Sequence, residues 1–205
     1  MYIPKHFEET NVERLHEFIR QNPFAILVTN IDGNLNADHT PVYLNTEDTN
    51  RVCLQGHIAT ANNLWKKLSA TQDVLLIFQG SNAYITPGWL PSKKADGKVV
   101  PTWNYSAVHV KGSIEFIHDP AWKLNLLNKQ TDQHEGKLEN PWLVSDAPTE
   151  FIEKLLPAIV GFEVVANEIV GKFKLSQNQS KENRAGIAEG LEESGHKMAK
   201  EISKD

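Results

Sequence analysis

Apolar residues fall on two periods along this chain, and the switches between them predict its elements. Val12, Leu15, Phe18 and Ile19 recur at helical spacing, and Pro23 ends the pattern. Thr10-Asn11-Val12-Glu13 before them has the form of a capping box, a hydroxyl and a carboxylate three residues apart. Phe24 to Thr29 is an apolar strand-like run, and Asp32-Gly33 is a turn signal. Leu35 to Leu44 and Val52 to His57 read as the next strands, followed by a short helix near Asn62 to Leu68. Val74 to Gln79 carries apolar residues at consecutive positions, as a central strand does, and Gly80-Ser81-Asn82 punctuates it before Ala83 to Thr86.

Pro87 to Pro101 has no period, and an irregular loop of that length inside a compact domain is commonly functional. Thr102 to Ile117 alternates as one long strand. Asp119-Pro120 supplies an N-cap and a preorganised first helical position for a helix bearing Trp122, Leu124, Leu126 and Leu127. A second short helix is expected near Thr149 to Leu156. Ile159 to Leu175 reads as one or two strands bent near Ala166-Asn167, and the charged stretch from Lys181 to Asp205 as helix. Strands with helices inserted, without strict βαβ alternation, predict a mainly β, α+β fold with antiparallel pairing closed into a barrel.

Composition narrows the class. The chain has 205 residues, 40% hydrophobic and 23% charged, which suits one compact globular domain, or a domain with an appended tail, rather than two independent cores. The apolar runs are too short to span a bilayer, and Met1-Tyr2-Ile3-Pro4-Lys5 lacks the form of a secretory signal, so a cytoplasmic location is expected. A net charge of −5 with scattered lysines argues against direct duplex binding by an isolated chain. The single cysteine, Cys53, lies between Val52 and Leu54 and reads as a core filler. Dinucleotide, P-loop, nucleophile-elbow and H-E-x-x-H motifs are all missing, so nothing points to hydrolysis.

Three segments have the make-up of a ligand site. Leu54 to Asn62 brings a strand through Gly56 toward a helix start, where free N–H groups suit a phosphate; an ordinary capped turn explains the same spacing. Tyr84-Ile85-Thr86-Pro87-Gly88-Trp89 and Val100-Pro101-Thr102-Trp103-Asn104-Tyr105 flank the irregular loop. Their aromatics could frame a flat ring or clamp the loop, and spacing does not separate the two. His39, His57, His109 and His118 lie on or near strands without ligand-like pairing.

At these segments the chain resembles the PaiB-type family of FMN-binding negative transcriptional regulators. The matching strings are Met1-Tyr2-Ile3-Pro4, His39-Thr40-Pro41, Gly56-His57-Ile58-Ala59, Tyr84 to Tyr105, Leu175-Ser176-Gln177-Asn178 and Glu182-Asn183-Arg184-Ala185-Gly186. The resemblance implies a split β-barrel over residues 1–176, a charged helical segment over 177–205, a homodimer, and FMN near its interface. It implies that His57, Ile58, Ala59, Thr60 and Asn62 approach the phosphate and ribityl chain. Tyr84, Ile85, Thr86, Trp89, Trp103, Asn104 and Tyr105 would line the rest of the site, His39 would border it, and Lys94 and Arg184 would be candidate cations. Thr60 and Gln179 stand where relatives often have basic residues, and Asn63 replaces a common proline. A flavin-dependent oxidoreductase and a haem-binding split barrel are the alternative functions.

Overall fold

The computed structural model describes residues 1–48, 51–68, 72–95 and 97–202. Seven strands lie among them: β1 Glu8–Glu9, β2 Phe24–Ile31, β3 Asn34–Asn45, β4 Cys53–Ala59, β5 Gln72–Ile85, β6 Thr102–Ile117 and β7 Ile159–Lys174. The helices are α1 Val12–Gln21, α2 Leu64–Lys67, α3 Ser92–Ala95, α4 Pro120–Glu135, α5 Thr149–Leu155, α6 Lys181–Glu193 and α7 Ala199–Ile202. The strand order is β1-β7-β4-β3-β2-β5-β6, and a further β7–β6 pairing returns the sheet to β7, so it closes as a barrel. The fold is a split β-barrel, mainly β with inserted helices, and the antiparallel closure is as the strand pattern predicts.

Contacts divide the chain into two compact units. The barrel unit comprises Ile19–Phe78 and His109–Ile169; the second comprises Met1–Phe18, Gln79–Val108 and Val170–Asp205. In the barrel unit, β2 pairs antiparallel with β3 from Phe24↔Pro41 to Ile31↔Asn34, around the turn at Asp32-Gly33. β4 pairs with β3 on one side and with β7 on the other, Gly56 lying opposite Val42 and Phe162. Alternate positions turn inward, and Leu27, Leu54, Leu76, Val110, Phe162 and Val164 are sealed from solvent. Burial of each such side chain contributes roughly 1.5–3 kcal/mol.

α4 starts as Asp119-Pro120 predicts. The Asp119 carboxylate accepts from the N–H groups of Ala121 and Trp122, and Pro120 occupies the first helical position, where its missing N–H costs nothing. One turn in, Lys123 is buried and donates to the carbonyls of Leu156 (2.7 Å) and Ile159 (3.1 Å), which fastens the helix to the start of β7.

In the second unit, β1 pairs with the end of β7 through Glu8↔Lys172 and Glu9↔Gly171. α6 is capped by the Ser180 hydroxyl, which accepts from Asn183 N–H.

Three details differ from the sequence reading. The cap of α1 is Asn11, not Thr10: its side chain accepts from Arg14 N–H at 3.1 Å while Glu9 accepts from Asn11 N–H, so the helix starts one residue later than a Thr10 cap requires. β5 runs unbroken through Gly80-Ser81-Asn82, although the buried positions shift by one residue there, from Val74, Leu76 and Phe78 before it to Ala83 and Ile85 after it. Of the one or two strands expected from Ile159 to Leu175, the structure has one, β7, continuous through Ala166-Asn167. The C-terminal stretch is two helices, since the N–H of His196 turns back to the Leu191 carbonyl and that of Gly195 to Glu192, the bond pair that terminates a helix. Residues 203–205 of that stretch, and Asp96 of the irregular loop, lie outside the described residues.

Candidate functional site

The residues singled out by the sequence fall into two sets, one in each unit. In the barrel unit, His39, His57, Ile58, Ala59, Thr60 and Asn62 sit on β3, on β4 and in the turn after it. The His39-Thr40-Pro41 and Gly56-His57 strings meet here: the buried Thr40 hydroxyl donates to the His57 carbonyl at 3.0 Å. His39 is exposed, its ring 6.0 Å from that of Phe24. Ile58 is buried, while Ala59 is exposed.

The polar atoms after Ala59 are largely committed to the protein. Thr60 donates its hydroxyl to the Pro157 carbonyl at 2.8 Å, and its own carbonyl accepts from the Trp65 indole. Asn62 donates to Asp38 and accepts from Leu64 N–H, so the start of α2 already has a partner. That helix is a single turn. Gly56 does admit a close neighbour, but the neighbour is the Phe162 ring, 2.4 Å from where a Cβ would stand.

His57 is the exception. Burial holds its imidazole below its ordinary pKa of 6.5, against a hydrogen bond with the Gln130 side chain, so it is neutral near pH 7, and its Nδ1 has no hydrogen-bond partner. A buried polar atom left without a partner is uncommon and suits a ligand contact.

In the second unit, the loop flanks separate into two roles. Trp89 ends a 3-10 turn, Pro87–Trp89, that begins on Thr86, whose hydroxyl accepts from Gly88 N–H. Its indole lies flat on α6: a Cβ on Gly190 would fall 2.5 Å from three ring atoms, and one on Gly186 would fall 2.2 Å from the Trp89 carbonyl. Asn183 completes the attachment, accepting from Ser92 N–H and donating to the Ser92 hydroxyl. This part is a clamp.

Tyr84 and Trp103 do something else. They lie on β5 and β6 with ring centres 5.9 Å apart at 68°, and each is about half exposed (49% and 54%). Large aromatics gain by burial, so a paired aromatic surface left open to water marks a contact surface. Ile85 and Asn104 point the other way and are buried; Asn104 donates to the Ser176 hydroxyl at 2.8 Å and its Oδ1 has no partner. Tyr105 is half-buried, 5.2 Å from the Lys172 ammonium. Lys94 is exposed on α3, and Arg184 donates to the Ile202 carbonyl at 2.9 Å while its buried Nε has no partner.

Sequence reasoning missed Lys172 and Lys174. Gly171-Lys172-Phe173-Lys174 alternates polar with apolar, which reads as a solvated strand face, yet Lys172 is 8% exposed. Among the described residues, no group of three or more His, Cys, Asp and Glu is placed to hold a metal, and no helix is long and apolar enough to cross a membrane. Cys53 is buried, and burial aided by Glu163 pushes its thiol up to about 11, as suits a core filler.

The closed antiparallel barrel defines a split-barrel fold, and comparison with solved structures agrees. The structure superposes on the flavocytochrome Anf3 of Azotobacter vinelandii with a TM-score of 0.61 (16% identity, 90% of this chain and 78% of that one). It superposes on the FAD and heme binding protein of Mycobacterium smegmatis with a TM-score of 0.60 (15% identity, 87% and 79%). Residues 1–168 match the family described as "Putative FMN-binding domain". The chain is 33% identical over 205 positions to the Bacillus subtilis "Protease synthase and sporulation protein PAI 2", covering 99% of this chain and 95% of that protein. The chain belongs to this PaiB-type family of FMN-binding proteins, and FMN is its cofactor.

Proposed function

We propose that the flavin ring rests on the second unit's open aromatic surface, with Tyr84 and Trp103 as its platform and Tyr105 beside them. The observation that carries this reading is the half-exposed Tyr84–Trp103 pair, which no packing need of the unit explains. Ile85 and Thr86 follow Tyr84, and Asn104 follows Trp103, so their polar groups would lie beside the same surface. The residues present thus fit an aromatic cofactor. Bound FMN would bring one- and two-electron chemistry, while the chain would supply orientation and a partly dry surface.

On the resemblance, the protein works as a cytoplasmic homodimer whose flavin-bound form acts in negative transcriptional control, with residues 1–176 as the flavin domain and 177–205 as an appended helical segment. The name of the Bacillus subtilis relative, which refers to protease synthesis and sporulation, supports a regulatory role over a metabolic one. FMN titration of wild type and Trp103→Ala tests the site. A tenfold or larger loss of affinity in a variant that keeps its stability is expected, and equal affinity would refute it. Light scattering on the purified protein should give twice the chain mass; a monomer at micromolar concentration would remove the homodimer.

A further inference from the structure

Lysine is almost never buried unless its charge is compensated. Lys123 shows compensation by two carbonyl acceptors. The second unit holds two further lysines on one side of β7, and they lack it. Lys172 donates only to the Tyr2 carbonyl, at 3.2 Å, and lies 5.7 and 5.2 Å from the ring centres of Tyr2 and Tyr105. Lys174, half-buried, donates only to the Thr102 hydroxyl and lies 5.9 Å from the Phe7 ring. An ammonium has three donors, so each retains donors that the chain does not use.

Negative charge is missing as well. Among the described residues no carboxylate stands within 4.0 Å of either ammonium, whereas Arg14, Arg51, Lys111 and Lys129 each have such a partner. Glu8 is the cross-strand neighbour of Lys172, but it is exposed and forms no bond to it. Residues two apart in a strand point to one side, so two positive charges face the same space with aromatic rings around them. Burial pulls the Lys174 pKa below its ordinary 10.5, Tyr105 opposes this and the Lys172 charge adds to it, as expected where a counter-ion is lacking.

We propose that Lys172 and Lys174, with the Thr102 hydroxyl between strands, form a binding site for a phosphate group. Two ammoniums on one face match a dianion better than a single carboxylate. The hydroxyl adds a neutral donor, and the buried Phe7 ring and half-buried Tyr105 ring limit the water that screens the charges. This inference stands on the second unit alone and does not rest on where the flavin ring sits. The phosphate is either that of FMN or that of another phosphorylated small molecule.

The test uses the full chain, wild type and Lys172→Met/Lys174→Met, with inorganic phosphate as probe against chloride at matched ionic strength. Phosphate is expected to raise the wild-type melting temperature by several degrees and to leave the double variant unmoved. In phosphate-free buffer the variant should melt no lower than wild type, since methionine removes uncompensated charge without removing volume. An equal phosphate shift in the variant, or none in wild type, overturns the proposal. If the double variant does not fold, Lys174→Met alone decides: a tenfold or larger loss of phosphate affinity supports the site and an unchanged affinity refutes it. Repeating the titration with FMN saturating assigns the source. A phosphate response that vanishes, with the FMN-over-riboflavin preference also lost in the variant, marks the phosphate as FMN's own; a response that persists marks a second ligand. Either result of this arm requires the lysine site.

Discussion

Trp89 and Trp103 stand at the two ends of one irregular segment, and the protein uses them in opposite ways. Trp89 lies on the backbone of α6, where Gly186 and Gly190 leave the only room its indole and carbonyl can take. Trp103 stands half in solvent against Tyr84 with nothing of comparable size covering it. The first is a fastening and the second a surface. Sequence spacing treats the two as equals; what separates them is the helix that arrives some hundred residues later in the chain.

Mutations should therefore split stability from flavin binding. Trp89→Ala should cost about 3 kcal/mol by urea denaturation, because it empties the space over α6. Gly190→Val should cost about 1–3 kcal/mol by the same measurement, since the new methyls meet the indole at once. Trp103→Ala should change stability by less than about 1 kcal/mol yet weaken FMN about tenfold, the equivalent of 1.4 kcal/mol of lost stacking. If Trp103→Ala proves the more destabilising of the two tryptophan changes, the contrast drawn between them fails.

The barrel unit offers a milder pH test. The folded-state pKa of His57 lies below its ordinary 6.5 because burial disfavours the cation. Below pH 6.5 the unfolded chain binds a proton that the folded chain resists, so stability is lost as pH falls from 6.5 through the folded-state value. His57→Gln should flatten that part of the stability profile, and a profile of unchanged slope would show that His57 does not carry it. The smallest effect expected is at Cys53. With its thiol at about 11, the thiolate fraction at pH 8 is of order one in a thousand, so alkylating reagents should label it only after denaturation.

Much of the fold was legible because its signals are local. Asp119-Pro120 starts α4 with the bonds such a pair makes, and the alternation from Thr102 to Ile117 is one strand with those ends. The break at Gly195 is hidden by the uniformly charged composition around it, and Gly80-Ser81-Asn82 has the composition of a turn although β5 runs through it. The site was legible in its residue types but not in their duties. Thr60 spends its hydroxyl on Pro157 and Asn62 its amide on Asp38, partners distant in the chain that no spacing rule reveals. Lys172 and Lys174 were hidden for the opposite reason. Their alternation with Phe173 is what an exposed strand shows, yet Lys172 is buried and lies against the Tyr105 ring, which is distant in the chain.

The most direct measurement is an FMN titration of freshly purified protein, followed by flavin absorbance and fluorescence, in wild type and Trp103→Ala. The structure predicts a protein that purifies yellow or binds added FMN at about micromolar or better, and a variant that stays folded but binds about tenfold more weakly. A colourless wild type that ignores FMN at that concentration, or a variant that binds it equally well, would contradict the assignment of the Tyr84–Trp103 surface to the flavin.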